Sequence, residues 1–150
     1  MSLQDQVMEA MKTAMKEKNT VALQALRSVK SAILLAQTES GAKAEISEDE
    51  EIKLLQKLVK QRKDSAAIYN EQGRADLAEP EIAEALVIEQ FLPEQLSEEE
   101  VAKIVDEVIA QTGASSMKDM GQVMGMANAK LAGKADGKTI STIVKSRLSN

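Results

Sequence analysis

The residues best placed to do chemistry in this sequence are lysines and carboxylates, because the 150-residue chain contains no histidine and no cysteine. The commonest general base and the most reactive nucleophile are therefore missing. A disulfide framework and a thiolate zinc site are excluded with them. Two acidic clusters, Asp49-Glu50-Glu51 and Glu98-Glu99-Glu100, invite a reading as paired carboxylates or a cation site. Both fall in the first turn of an expected helix, where each negative charge complements the macrodipole by about 0.3–1 kcal/mol. No further acid cluster is spaced to complete a site, so the capping role is the simpler account. No Walker-type phosphate loop, dinucleotide fingerprint or nucleophile elbow is present. The sequence thus implies no catalytic residue, no metal and no cofactor.

The basic residues are more informative. The chain carries a formal charge of −5, yet residues 113–150 hold six basic side chains (Lys118, Lys130, Lys134, Lys138, Lys145 and Arg147) against Asp119 and Asp136. That stretch is net +4 and the first 112 residues are net −9. Such a contrast points to a polyanionic partner for the C-terminal stretch. The turn Gly133-Lys134-Ala135-Asp136-Gly137-Lys138 puts two lysines beside a helix start, whose free N–H groups can hold a phosphate. Asp136 is equally well placed to cap that helix and compete for the same donors. Lys53, Lys57 and Lys60 recur at helical spacing, followed by Arg62 and Lys63. They suit a solvated face, with Lys60 paired to Asp64, better than a phosphate-tracking stripe. Gly121, Gly125 and Ala129 recur every four residues, with Gly133 continuing the spacing. Side chains so small make a close-approach face, either for a neighbouring helix or for a sugar–phosphate backbone.

The elements that must position these groups are helices. Apolar spacings of three and four recur throughout, and no stretch sustains strand alternation. Leu3, Val7, Met11 and Met15 mark a first helix. Asn19 or Thr20 opens a second, with Leu23, Leu26, Ile33 and Leu34 inward and Gly41 beyond its end. Ser47 and Glu50 form a capping box that opens a third helix, with Ile52, Leu55, Leu58, Val59 and Tyr69 inward and Gly73 as its stop. Pro80 removes an N–H donor, which predicts a short turn at 75–79 and a main fourth helix with Pro80 in its first turn. Leu92-Pro93 ends this module. Ser97 and Glu100 form a second capping box, and Leu96 and Val101 occupy the positions of a hydrophobic staple. The fifth helix carries Val101, Ile104, Val105 and Val108 to Gly113. Ser116 and Asp119 open a sixth helix with Met117, Met120, Met124, Ala127 and Leu131 on its core stripe. Ile140, Ile143, Val144 and Leu148 mark a seventh. The expected fold is all-α: a four-helix module over residues 1–92, then a three-helix module over 97–150.

A chain of this length can bury roughly 68–70% of its extended surface. With Tyr69 and Phe91 as the only aromatics, aliphatic residues and eight Met are expected to fill the core. The start, Met1 to Asp5, lacks the basic and apolar regions of a signal peptide. The longest apolar run, Ala32–Ala36, is far below the ~20 residues of a membrane span. A cytoplasmic protein with no membrane partner is expected.

Several segments together resemble one family, the bacterial YqeY proteins, related to the C-terminal tail of the GatB subunit of tRNA-dependent amidotransferases. They are Leu26-Arg27-Ser28-Val29-Lys30-Ser31-Ala32-Ile33, Gln61-Arg62-Lys63-Asp64-Ser65, Gly73-Arg74-Ala75-Asp76-Leu77-Ala78, Leu92-Pro93-Glu94-Gln95-Leu96-Ser97-Glu98-Glu99, Met120-Gly121-Gln122-Val123-Met124-Gly125 and Gly133-Lys134-Ala135-Asp136-Gly137. Pro80 and Phe91 depart from the pattern, the latter where Tyr is frequent. The resemblance implies a helical N-terminal module, a three-helix C-terminal tail and a link to tRNA. It also brings the family label of carbon–nitrogen ligase with glutamine as amido-N-donor, although the catalytic domains of the larger enzyme have no counterpart in 150 helical residues. Fold kinship alone does not transfer a reaction. Three functions follow as expectations: a tRNA-binding or amidotransferase-associated accessory protein without its own catalytic site, a protein–protein adaptor with a translation-related partner, or a contributor to amidotransfer. The first places nucleic-acid contacts at Lys118, Lys130, Lys134, Lys138, Lys145 and Arg147.

Overall fold

The computed structural model describes residues 2–39 and 45–149. Seven α-helices and one 3-10 turn account for the order, with no strand among the described residues. The chain divides into two compact units, Met1–Leu92 and Pro93–Asn150.

The first unit holds α1 (Leu3–Lys16), α2 (Thr20–Glu39), α3 (Glu48–Glu71) and α4 (Ala75–Glu89). α1 packs on α2, and α2 and α3 both pack on α4. Helix starts follow side-chain capping. The Asp5 N–H donates to Ser2 Oγ at 3.1 Å and the Ala22 N–H to Asn19 Oδ1 at 3.0 Å, so Asn19 is the residue that restarts the chain. The Ser47–Glu50 capping box forms, with reciprocal bonds of 3.2 and 3.4 Å. α3 stops at Gly73, whose φ of 73° is left-handed. Gly41 lies outside the described residues.

Three expectations about this unit are corrected. Ala14, not Met15, faces inward from the end of α1, and Met15 is 61% exposed. Strict four-residue spacing drifts by about 40° per step on a helix of 3.6 residues per turn, so three steps from Leu3 carry Met15 off the stripe. Leu34 is likewise exposed, while Ala22, Ala25 and Val29 join Leu26 and Ile33 in the core. α4 is one helix from Ala75 to Glu89 with Pro80 inside it. The carbonyl that Pro80 leaves without its helical donor belongs to Asp76, and both residues are exposed, so that carbonyl is not shut away from solvent. Arg62 of α3 lies 3.7 Å from Glu84 of α4, an ion-pair distance too long for a hydrogen bond. Burial raises the Glu84 carboxyl above its ordinary value, and Arg62 opposes that shift.

The second unit holds α5 (Glu98–Thr112), the 3-10 turn Met117–Asp119, α6 (Met120–Lys130) and α7 (Gly137–Leu148). The three helices pack pairwise on one another. Their shared core is Val101, Val105, Val108, Val123, Ala127, Leu131, Ile140, Val144 and Leu148. Ser97 and Glu100 form their capping box, and Leu96 packs on the same cluster as Val101, completing the staple. Gly113 ends α5 in a left-handed conformation. Met117 is 46% exposed and Val123 takes the central position expected for methionine. Met117 sits in the 3-10 turn, whose tighter winding rotates it away from the α6 stripe. No described methionine is fully buried.

Between α1 and α2, Lys18 adopts φ 56° without being glycine. The left-handed region costs an ordinary side chain about 1–2 kcal/mol, and glycine nothing comparable, although glycine adds chain entropy on unfolding. Lys18→Gly is therefore expected to stabilise the chain by about 0.5–1 kcal/mol. Urea denaturation checks this, and a lower midpoint for the variant refutes it.

Candidate nucleic-acid interface

The six predicted basic residues all project from the second unit, and all are exposed. Lys118 lies in the 3-10 turn, Lys130 at the end of α6, Lys134 in the α6–α7 turn, Lys138 in the first turn of α7, and Lys145 and Arg147 in its last. Their environments differ. Arg147 Nε donates to Asp106 Oδ1 of α5 at 3.0 Å, so its charge is already matched. Lys130 Nζ donates to Gln111 at 3.3 Å, a neutral partner that leaves its charge in place. Lys118, Lys134, Lys138 and Lys145 have no ion pair among the described residues.

Folding changes the charge argument. The +4 stretch does not stand alone, because residues 93–112 and the acids of α5 fold with it. Pro93–Asn150 carries seven basic and eight acidic side chains, net −1, and Met1–Leu92 carries twelve and sixteen, net −4. The positive character therefore belongs to one region, the 3-10 turn with α6 and α7, not to a whole unit. Of the two acids in that region, the carboxylate of Asp119 accepts the Ser115 N–H at 3.0 Å. That of Asp136 accepts the Thr139 N–H at 2.6 Å.

The Asp136 bond decides between the two readings of the turn. The α7 start is capped by its own carboxylate, and the Lys134 N–H donates to the Leu131 carbonyl at 2.8 Å. Those donors are not available to a phosphate. The ammonium tips of Lys134 and Lys138 remain for one. Gly133, buried at φ 76°, is the turn residue that lets the chain leave α6, and it does not continue the small-residue strip.

The strip itself is placed differently from the helix-packing account. A Cβ built on Gly121 or Gly125 meets nothing within 4 Å, and Ala129 is exposed. α5 and α7 do not use this face. Two glycines thus weaken α6 without any contact inside the unit to compensate. Gly125→Ala should stabilise the chain by about 1 kcal/mol, the ordinary difference in helix propensity. Thermal unfolding followed by circular dichroism tests it, and destabilisation would mean that the face is covered.

The lysine row of α3 and its continuation are partly salt-bridged. Lys60 pairs with Asp64 at 2.8 Å and Lys63 with Glu89 at 2.7 Å. No group of three or more acidic side chains able to hold a metal ion occurs among the described residues. No helix there is long and apolar enough to cross a membrane.

Sequence reasoning misses one group: Gln95, whose side-chain amide reaches the α6–α7 turn 38 residues away. Nothing in its local spacing signals that contact, because the acceptor is a backbone carbonyl.

A family model described as Yqey-like protein matches residues 4–148. A glutamyl-tRNA(Gln) amidotransferase subunit of Thermococcus gammatolerans is 47% identical over 73 residues, covering 46% of this chain and 12% of that protein. Its namesake in Thermococcus sibiricus is 33% identical over 125 residues, covering 78% of this chain and 20% of that protein. Altered inheritance of mitochondria protein 41, mitochondrial, of Meyerozyma guilliermondii is 34% identical over 134 residues, covering 81% of this chain and 68% of that protein. The chain therefore spans a fifth or less of these two amidotransferase relatives.

Proposed function

The chain belongs to the Yqey-like family, and from that premise we propose that it is a tRNA-binding accessory protein associated with amidotransfer, without a catalytic site of its own. The observation that carries this reading is the set of five exposed lysines on the 3-10 turn, α6, the α6–α7 turn and α7, none of them with an acidic partner among the described residues. Lys118, Lys130, Lys134, Lys138 and Lys145 act as phosphate contacts. Arg147, held by Asp106, contributes least. The open Gly121–Gly125–Ala129 face allows a sugar–phosphate backbone to come close between them. The names of the relatives support the tRNA and amidotransfer connection. We place the protein in the cytoplasm on this reading, although the fungal relatives carry "mitochondrial" in their names.

Each phosphate contact releases counterions, so affinity falls with salt by about 0.7–0.9 units of log–log slope per contact. A tRNA pool should bind the full chain at low salt and dissociate at moderate salt. Replacing Lys134 and Lys138 together by Ala should flatten the slope by roughly two contacts' worth, and Arg147→Ala by much less. Absence of binding at low salt refutes the reading.

On the same reading the ligase label is a property of the larger enzymes. Incubated with glutamine and aminoacylated tRNA, the purified chain should release no ammonia at an enzymatic rate. Release that disappears on replacing one polar residue would overturn this.

A second reading, a protein adaptor, is favoured by apolar surface on the first unit. Val7, Met8, Ile33 and Leu34 line a groove of about 290 Å³ between α1 and α2, together with Gln4, Asp5 and Lys30. Leu35 nearby in the sequence and Leu86 on α4 are each more than 60% exposed.

A further inference from the structure

Residues 93–97 enter the second unit by hydrogen-bonding to the turn between α6 and α7. Gln95 Nε2 donates to the Gly133 carbonyl at 2.6 Å and to the Pro93 carbonyl at 2.8 Å. The Leu96 N–H donates to the Lys134 carbonyl at 2.9 Å, and the Lys134 N–H to the Leu131 carbonyl at 2.8 Å. The peptide groups on both sides of the Lys134 α-carbon are thereby fixed, while its side chain stays exposed. The residue type is suited to the task. A side-chain amide supplies two N–H donors for two carbonyls, whereas Glu supplies none when ionised. Gly133 is itself buried and left-handed, so its carbonyl needs a protein donor.

We propose that Gln95 is a positioning residue for polyanion binding, holding the Gly133–Lys134 peptide so that the Lys134 ammonium is presented from a fixed root beside α7. This rests on the tRNA-binding reading above. A backbone already ordered does not have to be ordered when the ligand arrives, so part of the entropic cost of contact is met by the fold. Gln95 touches no ligand, and its effect must pass through Lys134. That requirement separates positioning from general stabilisation.

The test is a double-mutant cycle on the full chain, read as tRNA-pool affinity across a salt series. Gln95→Ala should weaken binding about five-fold, the scale of one net hydrogen bond, with the salt slope unchanged because no phosphate contact is removed. Lys134→Ala should flatten the slope by one contact. In the Lys134→Ala background, Gln95→Ala should have no further effect, because the two act as one unit. Additive losses, or Gln95→Ala binding like the wild type, overturn the proposal while leaving tRNA binding intact. A wild-type chain that does not bind at low salt fails the functional reading instead, and this proposal with it. Amide exchange supplies a readout that needs no ligand. The Lys134 N–H should exchange faster in Gln95→Ala than in the wild type, and equal rates overturn the clamp. Should that variant not fold, the wild-type Leu96 amide decides. Protection well beyond that of an open chain supports the clamp, and exchange at the unfolded rate overturns it.

Discussion

Everything in this structure depends on burying short aliphatic side chains closely. Every fully buried apolar residue among those described is Ala, Val, Leu or Ile. Helix axes pack at about 8–10 Å, and small side chains at the contact favour the lower end. That geometry explains why methionine stays at the margins. A long flexible thioether has no irregular gap to fill between two closely packed helices, and it gives up more rotamer freedom when fixed than valine does. Each buried Val, Leu or Ile contributes about 1.5–3 kcal/mol. No aromatic is fully buried to add a larger increment, so helix ends carry unusual weight. Ser2, Asn19, Ser47, Ser97 and Asp136 all cap helices through their side chains. A cap is worth about 1 kcal/mol, comparable to a large part of one core residue.

The same constraint shapes the surface. With one stripe of each helix committed to the core, the charged residues lie on the remaining faces. In the second unit five of the eight acids lie on α5, and all the exposed lysines but Lys103 lie on the 3-10 turn, α6, the α6–α7 turn and α7. Arg147 to Asp106 is where the two signs meet and cancel. A unit of net −1 can therefore still present a positive face, because screening at physiological salt confines the field of exposed charges to about 8 Å. Net charge is a poor guide here, and local charge is a good one.

The helical pattern, both capping boxes, the staple at Leu96 and Val101, and the stops at Gly73 and Gly113 are legible in the sequence. Each is written in neighbouring residues. What cannot be read involves distance along the chain or accumulated rotation. Four-residue spacing followed too far misplaces Met15 and Leu34, because the helix rotates past it. Pro80 looks like a boundary in the sequence, but its exposed setting makes the missing hydrogen bond cheap. The strip at Gly121, Gly125 and Ala129 is visible as a pattern, yet whether a helix covers it is a tertiary question. The candidate basic residues are identifiable by type and position. Their ranking is not, since Asp106 and Gln111 approach from α5, more than 18 residues away in sequence.

The small share of the amidotransferase relatives that this chain covers bears on how a binding module works outside a large enzyme. Appended to a longer chain, a weakly basic face gains from effective concentration, because the rest of the protein already holds the ligand nearby. Without such a neighbour that advantage is absent. The five phosphate contacts proposed for the lysine tips would give a binding energy that salt readily erodes. On the proposed reading, two features offset this. The turn bearing Lys134 is ordered before any ligand arrives, by hydrogen bonds from Gln95 and Leu96. The first unit, net −4, offers an apolar groove on α1 and α2 instead of a second polyanion surface. A partner seated there would restore the lost effective concentration by bringing its own hold on tRNA. On the proposed reading, RNA contact and protein docking are complementary roles of two separately packed units. Neither needs a reactive side chain, which agrees with a sequence that uses its conspicuous polar residues for caps, turns and exposed lysines.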